Sequence, residues 1–263
     1  MRKHVERLER LERLTVVVPV RDEDRLLAAT LAHIGAAMDR VESDGRRTAR
    51  LVVVLDTCTD GSARIAAAAA AADSRLHVLT SDAGSVGAAR AVGVSAAVAG
   101  IPPSSLHRHW IANTDADTRV PVHWLEVFAD AADAGADALV GTVEPDVLEL
   151  GPRRHAAWQT LHVRTDGHPH IHGANLGVRA SAYRQAGGFQ AVPDDEDVRL
   201  VEALRANGAD VRSSGGLHAI TSGRLRGRVG NGFAHYLAHL PDDAGIPATT
   251  PPTHSMDTTG RRT

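Results

Sequence analysis

Lysine is almost missing from this chain. Of its 29 lysine and arginine side chains, only Lys3 is a lysine. Neither a P-loop lysine for phosphate nor a Schiff-base lysine is therefore available in the body of the chain. Cysteine is as scarce: Cys58 stands alone, which excludes an intrachain disulfide and a cysteine-based zinc cluster and fits a reducing compartment. Long hydrophobic runs are missing too. The opening stretch Met1–Arg10 is charged and lacks the apolar core of a signal peptide, and Ala66–Ala72 is too short to span a bilayer. A formal net charge of -3 over 263 residues carries no basic footprint for nucleic acid or an anionic membrane surface. Together these absences point to a soluble cytoplasmic protein, long enough to bury one sizeable core.

What is present is an alternation of strand and helix patterns. Residues 1–13 read as a charged helix with Val5, Leu8 and Leu11 along one edge. Leu14–Val20 and Leu51–Leu55 are continuously apolar and β-branched, the pattern of buried parallel strands. A helix with Leu27, Leu31 and Ile34 on its apolar face separates them, and an Ala-rich helix follows the second. Leu76–Leu79 is a third strand, followed by the Gly-containing loop Ser81–Arg90 that opens another helix; the fourth strand starts at Trp110. The alternation predicts an α/β fold with a doubly wound, mostly parallel sheet flanked by helices. In such sheets ligands sit at the carboxyl ends of strands, where Pro19–Asp24, Asp56–Ser62, Ser81–Arg90 and Asp115–Thr118 all fall.

The fourth strand ends in Asp115-Ala116-Asp117. Residues i and i+2 of an extended segment share a face, so the two carboxylates can converge on one ligand. Held close, they repel unless a cation lies between them or one is protonated. Hard oxygen donors suit Mg²⁺ or Mn²⁺. Aspartates also end strands simply as turn residues, and the spacing alone leaves both readings open. In the second half, Pro193-Asp194-Asp195-Glu196-Asp197 opens the helix Val198–Asn207, where acids are favoured by the helix dipole whatever else they do. The tail 241–263, rich in Pro, Thr and Asp, reads as disordered.

Taken in order, these motifs resemble family-2 glycosyltransferases of the GT-A fold over about residues 14–240. The segment Val16-Val17-Val18-Pro19-Val20-Arg21-Asp22-Glu23 is similar to the family's first strand and loop, although Arg21-Asp22 stands where Asn is usual. Asp56-Thr57-Cys58-Thr59-Asp60-Gly61-Ser62 resembles its nucleotide-base loop, with Thr57 in place of a second aspartate. Gly84 to Arg90, the Asp115/Asp117 pair, Gly173-Ala174-Asn175 with Gly187-Gly188-Phe189, and Glu196-Asp197 complete six matches in order.

The resemblance implies a nucleotide-sugar half (14–120) and an acceptor half (121–240). On the donor side it implies Pro19, Arg21, Glu23, Asp56, Gly84, Arg90 and Asp115 as nucleotide-sugar contacts. It implies Mn²⁺ or Mg²⁺ on Asp115 and Asp117, with His218 a candidate third ligand. Asp197, beside Glu196, becomes the candidate general base of an inverting transfer to an acceptor hydroxyl. Gly173, Ala174, Asn175, His172 and Trp158 become the acceptor side. His168 and His170 share the spacing of His172, and Arg224, Arg226 and Arg228 form an Arg-rich segment suited to clamping a diphosphate or to facing solvent. Three other readings compete: a haloacid-dehalogenase-like phosphatase with Asp115 as nucleophile, a glycoside hydrolase using Asp117 and Asp197, and a nucleotide-binding module without turnover.

Overall fold

The computed structural model describes residues 10–192, 194–227 and 232–241. The first half of the chain alternates as expected. Strand β1 (Arg13–Val20) leads through helix α1 (Leu27–Glu42) to β2 (Thr48–Asp56), then α2 (Ser62–Ala72), β3 (Leu76–Ser81), α3 (Val86–Ala97) and β4 (His109–Asn113). A two-residue strand β5 (Thr118–Arg119) and helix α4 (Trp124–Asp133) follow. The second half contains β6 (Ala138–Pro145), α5 (Val147–Leu150), α6 (Pro152–Leu161), β7 (Leu176–Arg179), α7 (Ala180–Gln185), α8 (Glu196–Ala206), β8 (Val211–Thr221) and α9 (Phe233–Ala238).

One sheet runs through both halves in the order β3-β2-β1-β4-β7-β6-β8-β5. The β3-β2-β1-β4 part is parallel, β7 runs antiparallel to both β4 and β6, and β6 and β8 pair in parallel. Strand β1 is buried on both faces between helices, as its unbroken apolar run requires. Pro19 has no amide to give the ladder, so the pairing weakens where the chain must turn into the loop 21–26. Helix α1 buries Leu27, Leu31, Ile34, Met38 and Val41 on one stripe. Helix α3 lies so close to the sheet at Gly93 that a Cβ there would overlap the Val17 side chain.

Behind the parallel part, Trp110, Trp124 and Phe128 form a buried aromatic cluster, with centroids 6.0 Å apart in the tilted Trp110–Phe128 pair and 5.1 Å in the edge-to-face Trp124–Phe128 pair. The expected N-terminal helix over 1–13 lies outside the described residues as far as residue 9. Its described end is not helical, because Leu11 is buried and donates its N–H to Asp133, and Arg13 already belongs to β1. The tail beyond residue 241 is outside the described residues. Among the described residues no helix is long and apolar enough to cross a membrane.

Candidate active site

A cleft of about 430 Å³ opens at the carboxyl ends of β1, β2 and β4. Along one wall of it three loops are tied together. Asp56 ends β2, buried, and its Oδ1 accepts the Gly84 amide at 3.1 Å. Arg21 donates to the Gly84 carbonyl at 3.4 Å, and Gly84 has φ +73°, a conformation that glycine adopts freely. Asp22 (φ 52°) binds the Thr59 and Asp60 amides at 2.7 and 3.2 Å, and the Thr59 amide holds its carboxyl below the usual range. Pro19, Arg21, Glu23, Asp56 and Arg90 line the cleft, while Gly84 supports it from behind.

The acidic pair arrives differently from the expectation. Strand β4 ends at Asn113, so Asp115 and Asp117 lie in the turn that follows, closed by the Thr118 amide on the Asp115 carbonyl at 3.2 Å. Strand alternation therefore does not set their directions, and each carboxylate meets a different arginine. Asp115 Oδ1 is 2.5 Å from Arg90 Nη2, and the other arm of that buried guanidinium binds Glu196. Asp117 Oδ2 is 3.0 Å from Arg224 Nη2, while Arg224 Nη1 binds Glu23 Oε1 at 2.7 Å. Burial pushes the Asp117 carboxyl up to about 7, against the pull of Arg224. Burial likewise raises Glu196.

The donor set fits a hard divalent ion. Asp117 and Glu23 present carboxylate oxygens to one cationic point, now taken by a guanidinium, and Asp115 lines the same cleft. Among the described residues, the acidic or thiol ligand atoms that already lie within 4.8 Å of one another belong instead to Asp22, Cys58 and Asp60. That trio is held by hydrogen bonds to neighbouring backbone groups.

From the second half of the chain, Asp197 sits in the first turn of α8 and its Oδ2 accepts the Gly173 amide at 2.5 Å. Gly173, Ala174 and His172 line the cleft with it. A Cβ on Gly173 would overlap the Arg90 guanidinium, so only glycine brings this backbone onto the carboxylate network. His172 is held down to about 3 by burial and is a neutral imidazole. Phe233 and Tyr236 of α9 complete the wall, and Tyr236 is 44 % exposed.

Three expected residues lie elsewhere. Trp158 is buried in a small core with Val143, Leu150 and Leu237, its ring stacked on His162 at 3.4 Å, so it supports Phe233 and Tyr236 from behind. Asn175 is fully buried: it accepts from Trp124 Nε1 at 2.8 Å and donates to the Thr142 and Leu217 carbonyls at 2.8 and 3.0 Å. It joins β6, β8 and the aromatic cluster. His218 faces Thr142 (3.2 Å) and Glu144 (2.8 Å), in a cluster that also holds His155 and Arg164. Strand alternation turns it to the opposite side of β8 from Thr221, whose hydroxyl lies 3.5 Å from Asp117. Burial brings His218 down to about 4. His168 is buried away from the cleft lining, and Arg228 is outside the described residues. The sequence does not point to Thr221, since no strand pattern marks β8, nor to Phe233 and Tyr236, which reach the cleft through the long-range packing of α9 on Trp158.

No curated protein matches the sequence significantly. The solved structures place the fold. A mannosyltransferase from Pyrobaculum calidifontis, in complex with GDP-Man and Mn²⁺, superposes with a TM-score of 0.56 at 18% identity, over 83% of this chain and 58% of that one. GalNAc-T7 with UDP, GalNAc and Mn²⁺ gives 0.56 at 13% identity, over 81% and 43%. Mannosyl-3-phosphoglycerate synthase from Rubrobacter xylanophilus gives 0.50 at 15% identity, over 81% and 68%. At such identities the likeness is one of fold, the GT-A arrangement, and the chain spans little more than half of the first of these proteins and less than half of the second. The sequence itself goes further, because the profile described as glycosyl transferase family 2 matches residues 15–186. That is more than half of its length, and the chain belongs to glycosyl transferase family 2.

Proposed function

We propose that this protein transfers a sugar from a nucleoside-diphosphate donor to an acceptor hydroxyl, with inversion at the anomeric carbon. The observation that carries the reading is the convergence of Asp56, the Asp115/Asp117 turn, Glu23 and Asp197 on one cleft, with two arginines between them. Asp56 and the loops tied to Gly84 form the nucleotide end. Asp115, Asp117 and Glu23 are the groups that would hold Mn²⁺ or Mg²⁺, which would supply Lewis-acid neutralisation of the diphosphate leaving group. The mannosyltransferase and GalNAc-T7 structures contain Mn²⁺, which supports the same choice here.

Asp197 is the general base. Its carboxylate takes the acceptor O–H proton as that oxygen bonds to the sugar C1. The bond from C1 to the phosphate oxygen breaks, and the diphosphate leaves with the electron pair. Glu196 is bound to Arg90 instead, so it positions rather than reacts. Phe233 and Tyr236 give the acceptor an aromatic face. In the phosphatase alternative Asp115 would be the nucleophile, but it is bound to Arg90, and the family match favours transfer. The protein acts in the cytoplasm in this reading.

The test is Asp197→Asn. Donor binding stays within about twofold, while turnover falls by about 10²–10⁴, the usual worth of a positioned base. Turnover within a few-fold of wild type reassigns the base.

A further inference from the structure

The acidic pocket already contains a cation that belongs to the chain. Arg224 bridges Glu23 and Asp117 at 2.7 and 3.0 Å, and both carboxylates are almost covered, with side chains 8% and 12% exposed. The backbone beneath Arg224 is fixed separately. Glu149 Oε2 accepts from the Ser222 hydroxyl at 2.5 Å and from the Gly223 amide at 2.9 Å, and the Arg224 amide donates back to Ser222 Oγ at 3.3 Å. Gly223 packs so closely on the Asp146 carbonyl that a Cβ there would overlap it. The anchor therefore holds the main chain while the long side chain, about one-third exposed, can rotate without it. A dication on Asp117 and Glu23 would use the oxygens the guanidinium now binds. Two cations cannot share them without strong repulsion.

We propose that Arg224 is a built-in counter-ion that closes the acidic pocket until a divalent ion arrives, and is then displaced toward the donor's phosphates. The inference rests on the metal-dependent reading of the site given above. It makes Arg224 a positioning residue whose two stations couple metal entry to nucleotide binding. Without nucleotide the guanidinium competes with the metal; with nucleotide it gains a phosphate partner on leaving, and the competition is relieved.

The test is Mn²⁺ binding to the full-length protein, followed by electron paramagnetic resonance of the free ion, with and without UDP or GDP. Without nucleotide, Arg224→Gln binds Mn²⁺ about tenfold tighter than wild type, whereas Arg224→Lys, which keeps the charge, stays within about threefold. Adding nucleotide tightens Mn²⁺ binding more in wild type than in Arg224→Gln, so the coupling factor falls. An Arg224→Gln affinity equal to or weaker than wild type overturns the proposal, and so does an unchanged coupling factor. Asp117→Ala separates the two ideas. If it abolishes Mn²⁺ binding while Arg224→Gln changes nothing, the counter-ion role alone falls; if it leaves binding intact, the metal site falls with it. Thermal melts of each variant show whether it is folded.

Discussion

Replacing Arg90 with methionine deletes the guanidinium that joins the turn after β4 to the start of α8. Its side chain is 3% exposed and Glu196 is 7% exposed, whereas Asp115 at 36% can recover water. The loss therefore falls mainly on Glu196, left as a buried charge without a partner. Breaking a buried pair from one side costs about 3–5 kcal/mol, a large part of the roughly 5–15 kcal/mol that holds a domain together. With a urea slope of about 2–3 kcal/mol per molar, the midpoint drops by about 1–2 M. The variant also acquires a pH signature. Burial already raises Glu196, and without Arg90 its folded-state pKa lies further above the unfolded value. The stability that this carboxyl contributes is then fully present below the unfolded pKa and is lost as pH rises through the folded one, so the deficit of Arg90→Met relative to wild type is smaller at pH 5 than at pH 7.5. Adding Glu196→Gln removes the stranded charge and recovers part of the loss. Urea titrations of wild type and the two variants at both pH values decide the matter. A cost below about 1 kcal/mol, or a double variant no more stable than Arg90→Met, would refute the idea that the pair is an electrostatic clamp.

Two further outcomes follow from the buried polar groups. Asn175→Ala strands the Trp124 indole N–H and two backbone carbonyls, so it lowers stability by about 2–4 kcal/mol in urea unfolding without a specific change in acceptor KM; a stable variant with raised KM would restore Asn175 to the acceptor site. His172 and His218, at about 3 and 4, keep flat Cε1 proton shifts from pH 8 to pH 5, whereas a histidine near 6.5 titrates midway. Because their folded pKa values lie below the unfolded one, the folded state binds fewer protons. Stability is lost as pH falls below 6.5, by up to about 2 kcal/mol per group at pH 5 relative to the matching His→Gln variant.

Much of this arrangement could be read in the chain. Leu14–Val20 and Leu51–Leu55 show their double-sided burial in an unbroken β-branched pattern, and they put the polar loops after them on one rim. The Asp115/Asp117 pair and Asp197 reach the cleft as their positions at element ends suggest. The misreadings have physical causes. Strand β8 is interrupted by Ser213-Ser214-Gly215-Gly216, and its register shifts opposite Gly141, so no period-2 pattern marks it. With β8 unseen, the side to which His218 points and the delivery of Thr221 and Arg224 to the rim were unreadable. Asn175 sits inside a motif that looks like a binding loop, but its amide serves three partners fixed by long-range packing. Trp158 lies in the expected region yet one layer too deep, because α9 places Phe233 and Tyr236 over it.

The most direct measurement is a thermal shift with UDP-, GDP- and dTDP-sugars, with and without Mn²⁺, on wild type and Asp117→Ala. Ligand at about 100 times Kd contributes roughly 2.7 kcal/mol, which for a chain of this size is about 5–10 °C in Tm. That rise is expected for at least one donor, only with Mn²⁺ present and only with Asp117 intact. An equal rise without the metal, or in Asp117→Ala, would contradict it.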